Sequence, residues 1–236
     1  MAVGTVRART PSAEPADESA ASGRNLGELA YERLLNLLLS GELPAGTILQ
    51  ERRLAEALNI SRTPIREALG RLEAEGLMSR QLGRLMVVSQ ISVRACIETF
   101  NVRKLLEVEA AGLAAKKRID KPAAEGVRVA LRSLMETKSP TAAQRWKVDD
   151  MVHGLIADAA ENTLLSTMLR DLRRRTHIFD TRPIPARLRP DHVEHLAIID
   201  AVAAGDPERS RAAMAEHIDN VKATIVGQLA PGRSET

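Results

Sequence analysis

The stretch "DDMVH" sets Asp149 four residues ahead of His153, one helical turn away on the same face. Two further histidines, His195 and His217, lie in helix-patterned stretches later in the chain. A carboxylate and three imidazoles brought together inside a bundle would bind a first-row transition metal and leave positions open for water or a ligand. Spacing leaves alternatives: Asp150 sits three residues before His153, and His192 precedes His195 by the same interval. Unless they converge, these histidines are separate surface or core residues.

A second chemistry is written into "SRTPIREALGRL", Ser61 to Leu72. Ile65, Ala68, Leu69 and Leu72 repeat at i, i+3, i+4 and i+7 and form one apolar stripe. Arg62 and Arg66, four apart, project from the opposite side at the start of the helix. That end is where a recognition helix presents side chains to base edges. Arginine grips guanine through two parallel hydrogen bonds, and Thr63 can meet a phosphate or a thymine methyl. The helix N-terminus itself favours phosphate. From Arg52 to Arg84 seven arginines face four glutamates (Glu56, Glu67, Glu73 and Glu75), so this region is locally basic.

Composition narrows the field. With two Phe, one Tyr and one Trp in 236 residues, the chain lacks the stacking platforms that single-stranded nucleic acid requires. A net charge of +3 means that any basic surface is local. One cysteine, Cys96, excludes an internal disulfide framework and suits a reducing cytoplasm. No apolar run reaches the length of a membrane span. The opening, with Arg7, Arg9, Pro11 and Pro15, lacks the apolar centre of a signal peptide and reads as a disordered tail over residues 1–25.

The elements that must position these residues follow from patterning. Leu29, Leu34, Leu35, Leu38 and Leu39 predict a helix that stops at "SGELPAG". A second helix spans about Glu51 to Leu58, and "NIS" makes a tight turn because Asn59 tolerates the left-handed conformation. Thr63-Pro64 reads as an N-cap followed by Pro at the first helical position, with Ser61 as the alternative cap. Gly76 ends that helix, and "LMSRQLGRLMVV" gives two strands around Gly83. This order is that of a winged helix-turn-helix, residues 26–89. Beyond Ser92 strand-like segments vanish. Helices are predicted at about Val93 to Lys117, Pro122 to Lys138, Ala142 to Ala160, Leu164 to Asp180, Pro190 to Ala204 and Pro207 to Leu229. Pro183, Pro185 and Pro190 mark a break before the fifth. The fold class is therefore mainly α: an N-terminal winged helix-turn-helix and a C-terminal six-helix bundle over residues 92–230. The run Arg173, Arg174, Arg175 reads as a solvated face, and Trp146 as core or interface.

"SGELPAGTILQERRLAEALNISRTPIREALGRLEAEGL" resembles the amino-terminal domain of the GntR superfamily of bacterial transcription regulators. The resemblance implies DNA contacts at Arg52, Arg62, Thr63 and Arg66, with Gly83 at the wing tip approaching the minor groove. Leu82 departs from the polar residue common beside that glycine. It also implies a homodimer on two half-sites of double-stranded operator DNA. Further on, "FNVRKLLEVEAAGLAA", "DDMVHGLIADAAEN", "EHLAIIDAVAAGD" and "AMAEHI" are similar to the FCD effector domain of the FadR-type branch, and six helices point to its VanR-like subgroup. That similarity places metal ligation on Asp149, His153, His195 and His217, leaving His192 and His177 outside. It implies zinc foremost, with nickel, manganese or iron also compatible. It further implies a small carboxylate effector, with Arg103 as the inward arginine that binds it; an Arg103–Glu107 pair at i, i+4 is the competing role. The expectation is a cytoplasmic, metal-containing, ligand-responsive repressor and not an enzyme. Val87 to Val93 would absorb the movement between its domains. A metalloregulator sensing the metal itself, or a metalloenzyme fused to a DNA-binding head, are the alternatives.

Overall fold

A computed structural model of the chain describes residues 26–83, 85–90, 92–179 and 185–229. The expected tail over residues 1–25 lies outside them, as does Arg84. Among the described residues no helix is long and apolar enough to cross a membrane.

The head begins with α1 (Leu26–Leu39), β1 (Ile48–Leu49), α2 (Glu51–Leu58) and α3 (Arg62–Ala74). It closes with β2 (Met78–Gln81) and β3 (Leu85–Val88). The three strands form one antiparallel sheet in the order β1-β3-β2, with Ile48 opposite Val87 and Arg80 opposite Met86. β1 was not expected, because two residues are too short to show a period of two. Asn59 ends α2 at φ 50, as its tolerance of the left-handed region predicts. α3 starts one turn-position earlier than Thr63-Pro64 implied: Ser61 occupies the N-cap position and Pro64 lies inside the first turn. Proline is tolerated there because N–H groups in the first turn have no helical partner. The apolar stripe behaves as its spacing demands. Ile65, Leu69 and Leu72 pack with Leu34 and Leu38 of α1 in the core of the head, all essentially inaccessible.

The bundle contains α4 (Val93–Lys117), α5 (Lys121–Glu136), α6 (Ala142–Ala159), α7 (Thr163–Phe179), α8 (Pro185–Ala204) and α9 (Pro207–Leu229). Starts are locally encoded. Ser92 and Asp120 cap α4 and α5 by accepting from the N–H groups of Ala95 and Ala123, and Thr141 and Gln144 form a reciprocal capping box on α6. Each such cap contributes about 1 kcal/mol. α8 begins at Pro185 rather than Pro190, so the helix continues through Pro190 with one backbone donor missing. α4 is the central element and packs against α6, α7, α8 and α9. Its small residues Ala110, Ala111, Ala114 and Ala115 are buried in a core shared with Phe100, Leu131, Ile156, Ile198 and Ile199. Val87 and Val88 belong to β3 and Val93 to α4, which leaves only residues 89–92 between head and bundle.

Candidate metal centre and nucleic-acid interface

Three helices deliver the four residues. α6 carries Asp149 and His153 one turn apart, α8 carries His195, and α9 carries His217. One donor atom from each lies within 4.8 Å of all the others. His153 Nε2 stands 3.2 Å from His195 Nε2, and Asp149 Oδ1 is 3.6 and 3.5 Å from those two atoms. All three imidazoles are buried. Burial pushes each below the ordinary histidine value, which holds them neutral, the form that offers a lone pair. Burial alone would raise Asp149. The Arg173 guanidinium, foremost among the neighbouring charges, overcomes it, and the carboxyl is held well below its usual range.

The outer nitrogens decide which way the rings face. Nδ1 of His153 meets the Glu107 carboxylate, and Nδ1 of His217 lies 2.9 Å from Glu194 Oε2. Nδ1 of His195 is 3.7 Å from Asp191 Oδ2. For His153 and His217 a carboxylate on Nδ1 fixes the tautomer and turns Nε2 inward, the arrangement by which proteins orient metal-binding histidines. Three neutral imidazoles beside one carboxylate are a donor set that fits a divalent transition metal. The carboxylates are themselves anchored. Arg173 donates to Asp149 Oδ2 at 2.5 Å and to Asp150 Oδ1 at 2.8 Å. Arg103 donates through Nε to Glu107 Oε1 at 2.7 Å and through Nη1 to the Thr176 hydroxyl at 2.8 Å.

The structure separates the residues that spacing left open and overturns one expectation. Asp150 turns to Arg173 and is half exposed, and His192, though buried, is not among the four grouped residues. Of the two partners expected for Arg103, an effector carboxylate or Glu107, it makes the i, i+4 pair with Glu107 and is buried at 6% exposure. The arginine run is no solvated face. Arg173 is 2% exposed, and Arg174 and Arg175 lie against the head. Charge alone suggested solvent, whereas each guanidinium has a partner far away in sequence. Glu107, Glu194, Asp191 and Arg173 went unnoticed as supporting groups. Glu107 carried a signal in its four-residue spacing from Arg103, and Asp191 in the same spacing from His195.

On the head, Arg62 and Arg66 project together from the first turns of α3, and both lean on Glu51 at the start of α2. Arg66 Nη2 reaches Glu51 Oε2 at 2.9 Å with Nε at 3.1 Å, while Arg62 Nη2 stands at 3.7 Å. The hydrogen bond from Arg66 is the main cause of a Glu51 carboxyl below its ordinary value. Arg52 pairs with Glu56 at 2.9 Å, and Thr63 is exposed. Gly83, at φ 68, and Leu82, at φ 50 and 92% exposed, form the turn between β2 and β3.

A helix-turn-helix with a β wing, joined to an all-helical bundle with a buried polar centre, defines a ligand-responsive class of DNA-binding protein. The FCD domain family matches residues 98–220, and the family "Bacterial regulatory proteins, gntR family" matches residues 26–88. The chain belongs to the GntR family, in the group whose effector domain is of the FCD type. It is 32% identical over 217 residues to "HTH-type transcriptional regulator LutR" of Bacillus subtilis, a match covering 81% of this chain and 97% of that protein. A "Probable D-xylose utilization operon transcriptional repressor" of Paenarthrobacter nicotinovorans is 28% identical over 183 residues, covering 77% of this chain and 80% of its own. Among solved structures, E. coli McbR/YncC superimposes with a TM-score of 0.78 at 25% identity, over 88% of this chain and all of that one. The chain is accordingly a DNA-binding transcription regulator, and the matched families and relatives are regulators rather than enzymes.

Proposed function

We propose that the protein is a dimeric repressor that holds a divalent transition metal, zinc foremost, on Asp149, His153, His195 and His217, and that a small organic acid releases it from its operator. The observation that carries this reading is the convergence of four donor atoms within 4.8 Å, with a carboxylate beside the outer nitrogen of each imidazole. When bound, the metal supplies a Lewis-acidic centre with coordination positions that accept a carboxylate oxygen. The chain's own residues do the rest. Glu107 and Glu194 orient the rings of His153 and His217, Asp191 lies beside His195, Arg173 holds Asp149, and Arg103 serves the site through Glu107. An effector carboxylate that takes the Arg103 fork has to displace Glu107. Repression agrees with the name of the Paenarthrobacter relative. Dimerisation is supported by α4 and α7, which pack together and expose Val102, Leu105, Leu164 and Met168.

In the head, Arg52, Arg62, Thr63 and Arg66 contact DNA and Gly83 carries the wing to the minor groove. Neutralising phosphates releases counterions, so binding to an operator duplex should fall about 10³- to 10⁵-fold between roughly 50 and 200 mM salt for some 6–10 contacts. Fluorescence anisotropy checks this, and a flat response would sink DNA binding through these arginines.

The direct test of the whole reading is elemental analysis of chain purified without chelator or histidine tag, followed by DNA titrations against a panel of small carboxylates. Near one equivalent of metal and saturable release by a carboxylate support it. No metal after add-back removes the centre, and metal-dependent affinity that no acid alters makes the metal itself the signal.

One prediction concerns Glu107. Glu107→Gln keeps the shape but weakens the pull on the His153 Nδ1–H, so metal affinity should drop about 10- to 100-fold. Competition with a chromophoric chelator reads this directly. An unchanged affinity would show that Glu107 serves Arg103 alone.

A further inference from the structure

Within five consecutive residues, α7 reaches in two directions. Toward the bundle interior, Arg173 donates to Asp149 and Asp150, and the Thr176 hydroxyl accepts from Arg103. Toward the head, Arg175 Nε donates to the Glu75 carbonyl at 2.9 Å, and Arg174 Nη1 donates to the Tyr31 hydroxyl at 3.2 Å. That hydroxyl in turn donates to the Glu75 carboxylate, 2.7 and 2.9 Å from its two oxygens. His177 Nε2 lies 2.9 Å from the Leu39 carbonyl, with its ring stacked on Trp146 at 4.1 Å.

Glu75 and Leu39 stand at the C-terminal ends of the two helices that make up most of the head core, α3 and α1. Carbonyls at such ends have no donor within the helix and carry the negative pole of its dipole. In α3 the turn at Gly76, with φ 75, satisfies two of them: the N–H of Gly76 reaches the Glu73 carbonyl and that of Leu77 the Leu72 carbonyl, each at 2.9 Å. The Glu75 carbonyl is left for Arg175, a residue of the other domain. Its guanidinium lies flat over Gly76, where an added Cβ would sit 3.2 Å from Cζ.

Asp149 is shared between the two systems. Its Oδ1 faces the imidazole cluster at 3.5–3.6 Å, while its Oδ2 is held by Arg173. A cation bound by the cluster therefore competes with Arg173 for one carboxylate, and Arg173 is separated by one and two residues from the groups that hold α3.

We infer that Arg174 and Arg175 are positioning residues for DNA recognition, through which the state of the Asp149–His153–His195–His217 cluster sets the orientation of the reading helix α3. The inference rests on the proposed metal centre and assigns the route by which that centre regulates the head. Tyr31 and Glu75 are the receiving groups, and Arg173 is the link to Asp149. Long-range coupling of this kind is typically about 5- to 150-fold in affinity.

The test is a duplex selected from random DNA by the wild-type protein, titrated with zinc-loaded and chelator-stripped chain. Wild type, Arg174→Ala, Arg175→Ala and Arg175→Lys are compared, with metal content and thermal melting measured on each. The wild-type affinity ratio between the two states is expected to differ from one by at least about fivefold. Arg174→Ala and Arg175→Ala should keep their metal and their fold while that ratio collapses toward one. Arg175→Lys, which still offers a donor to the Glu75 carbonyl, should restore most of it. Alanine variants that keep both full metal and the wild-type ratio would overturn the inference and leave the metal centre standing. A wild-type ratio of one also overturns the inference, because the state of the cluster then does not reach α3, while the metal content measured on the same samples tests the metal centre separately. If Arg175→Ala does not fold, the Arg174→Ala and Arg175→Lys ratios decide the matter.

Discussion

Replacing His195 with alanine is expected to reduce bound metal from near one equivalent to a small fraction, whereas His192→Ala leaves it unchanged. His195 is the residue that closes the cluster, with Nε2 at 3.2 Å from His153 Nε2 and 3.5 Å from Asp149 Oδ1. Its removal leaves two imidazoles and one carboxylate. A zinc site of about 10–16 kcal/mol divided over four ligands makes each worth roughly 3 kcal/mol, or two orders of magnitude in affinity. His192 is one turn away on α8 and buried, but it is not in the convergent group. Elemental analysis of both variants, together with the rise in melting temperature on metal addition, reads the difference, since a ligand that binds only the folded state stabilises it by mass action. Loss from His192→Ala with retention in His195→Ala would transfer the assignment to the other histidine.

Arg66→Ala is expected to weaken operator binding by about 5- to 150-fold and to relax preference at one base pair. One bidentate arginine–guanine contact contributes ~1–3 kcal/mol of discrimination. The structure adds a second component to this prediction. Arg66 is the principal partner of Glu51, and its removal leaves that carboxylate facing DNA with only the more distant Arg62 beside it. Part of the loss is then repulsion of phosphate rather than a missing base contact. Glu51→Gln/Arg66→Ala separates the two: affinity regained by the double variant is the repulsive share, and lost base preference that persists is the reading share. Unchanged affinity and base preference in Arg66→Ala would remove it from the recognition role. The pair is too exposed, at 59% and 29% for the two side chains, for its loss to matter to folding.

What could be read from the chain was local. The i, i+3, i+4, i+7 stripe of α3 and the four-residue step from Asp149 to His153 are periodicities that a helix enforces whatever surrounds it. The same holds for the left-handed Asn59 and the turn glycines, whose backbone angles depend on residue type. The winged head, the all-helical bundle and the residue types of the candidate centre were therefore legible. The choice within each pair was not, because Asp149 and Asp150, or His192 and His195, are equally permitted by helical spacing. Rotation and depth of α6 and α8 decided it, and those are set by the core around α4.

Tertiary structure alone made Arg173–Arg174–Arg175 something other than surface charge. Helical neighbours fan out around the axis, so three adjacent arginines met Asp149, Tyr31 and the Glu75 carbonyl, all far away in sequence. Arg103 shows the same limit from the other side. Its four-residue step to Glu107 was visible, but that Glu107 would also meet His153 depended on α4 lying against α6. Sequence determined which elements form and which side chains share a face, since backbone sterics and hydrogen bonding act within a few residues. Folding decided which of those faces meet, because burying the apolar stripes forces distant polar groups into the same enclosed space, where each must find a partner.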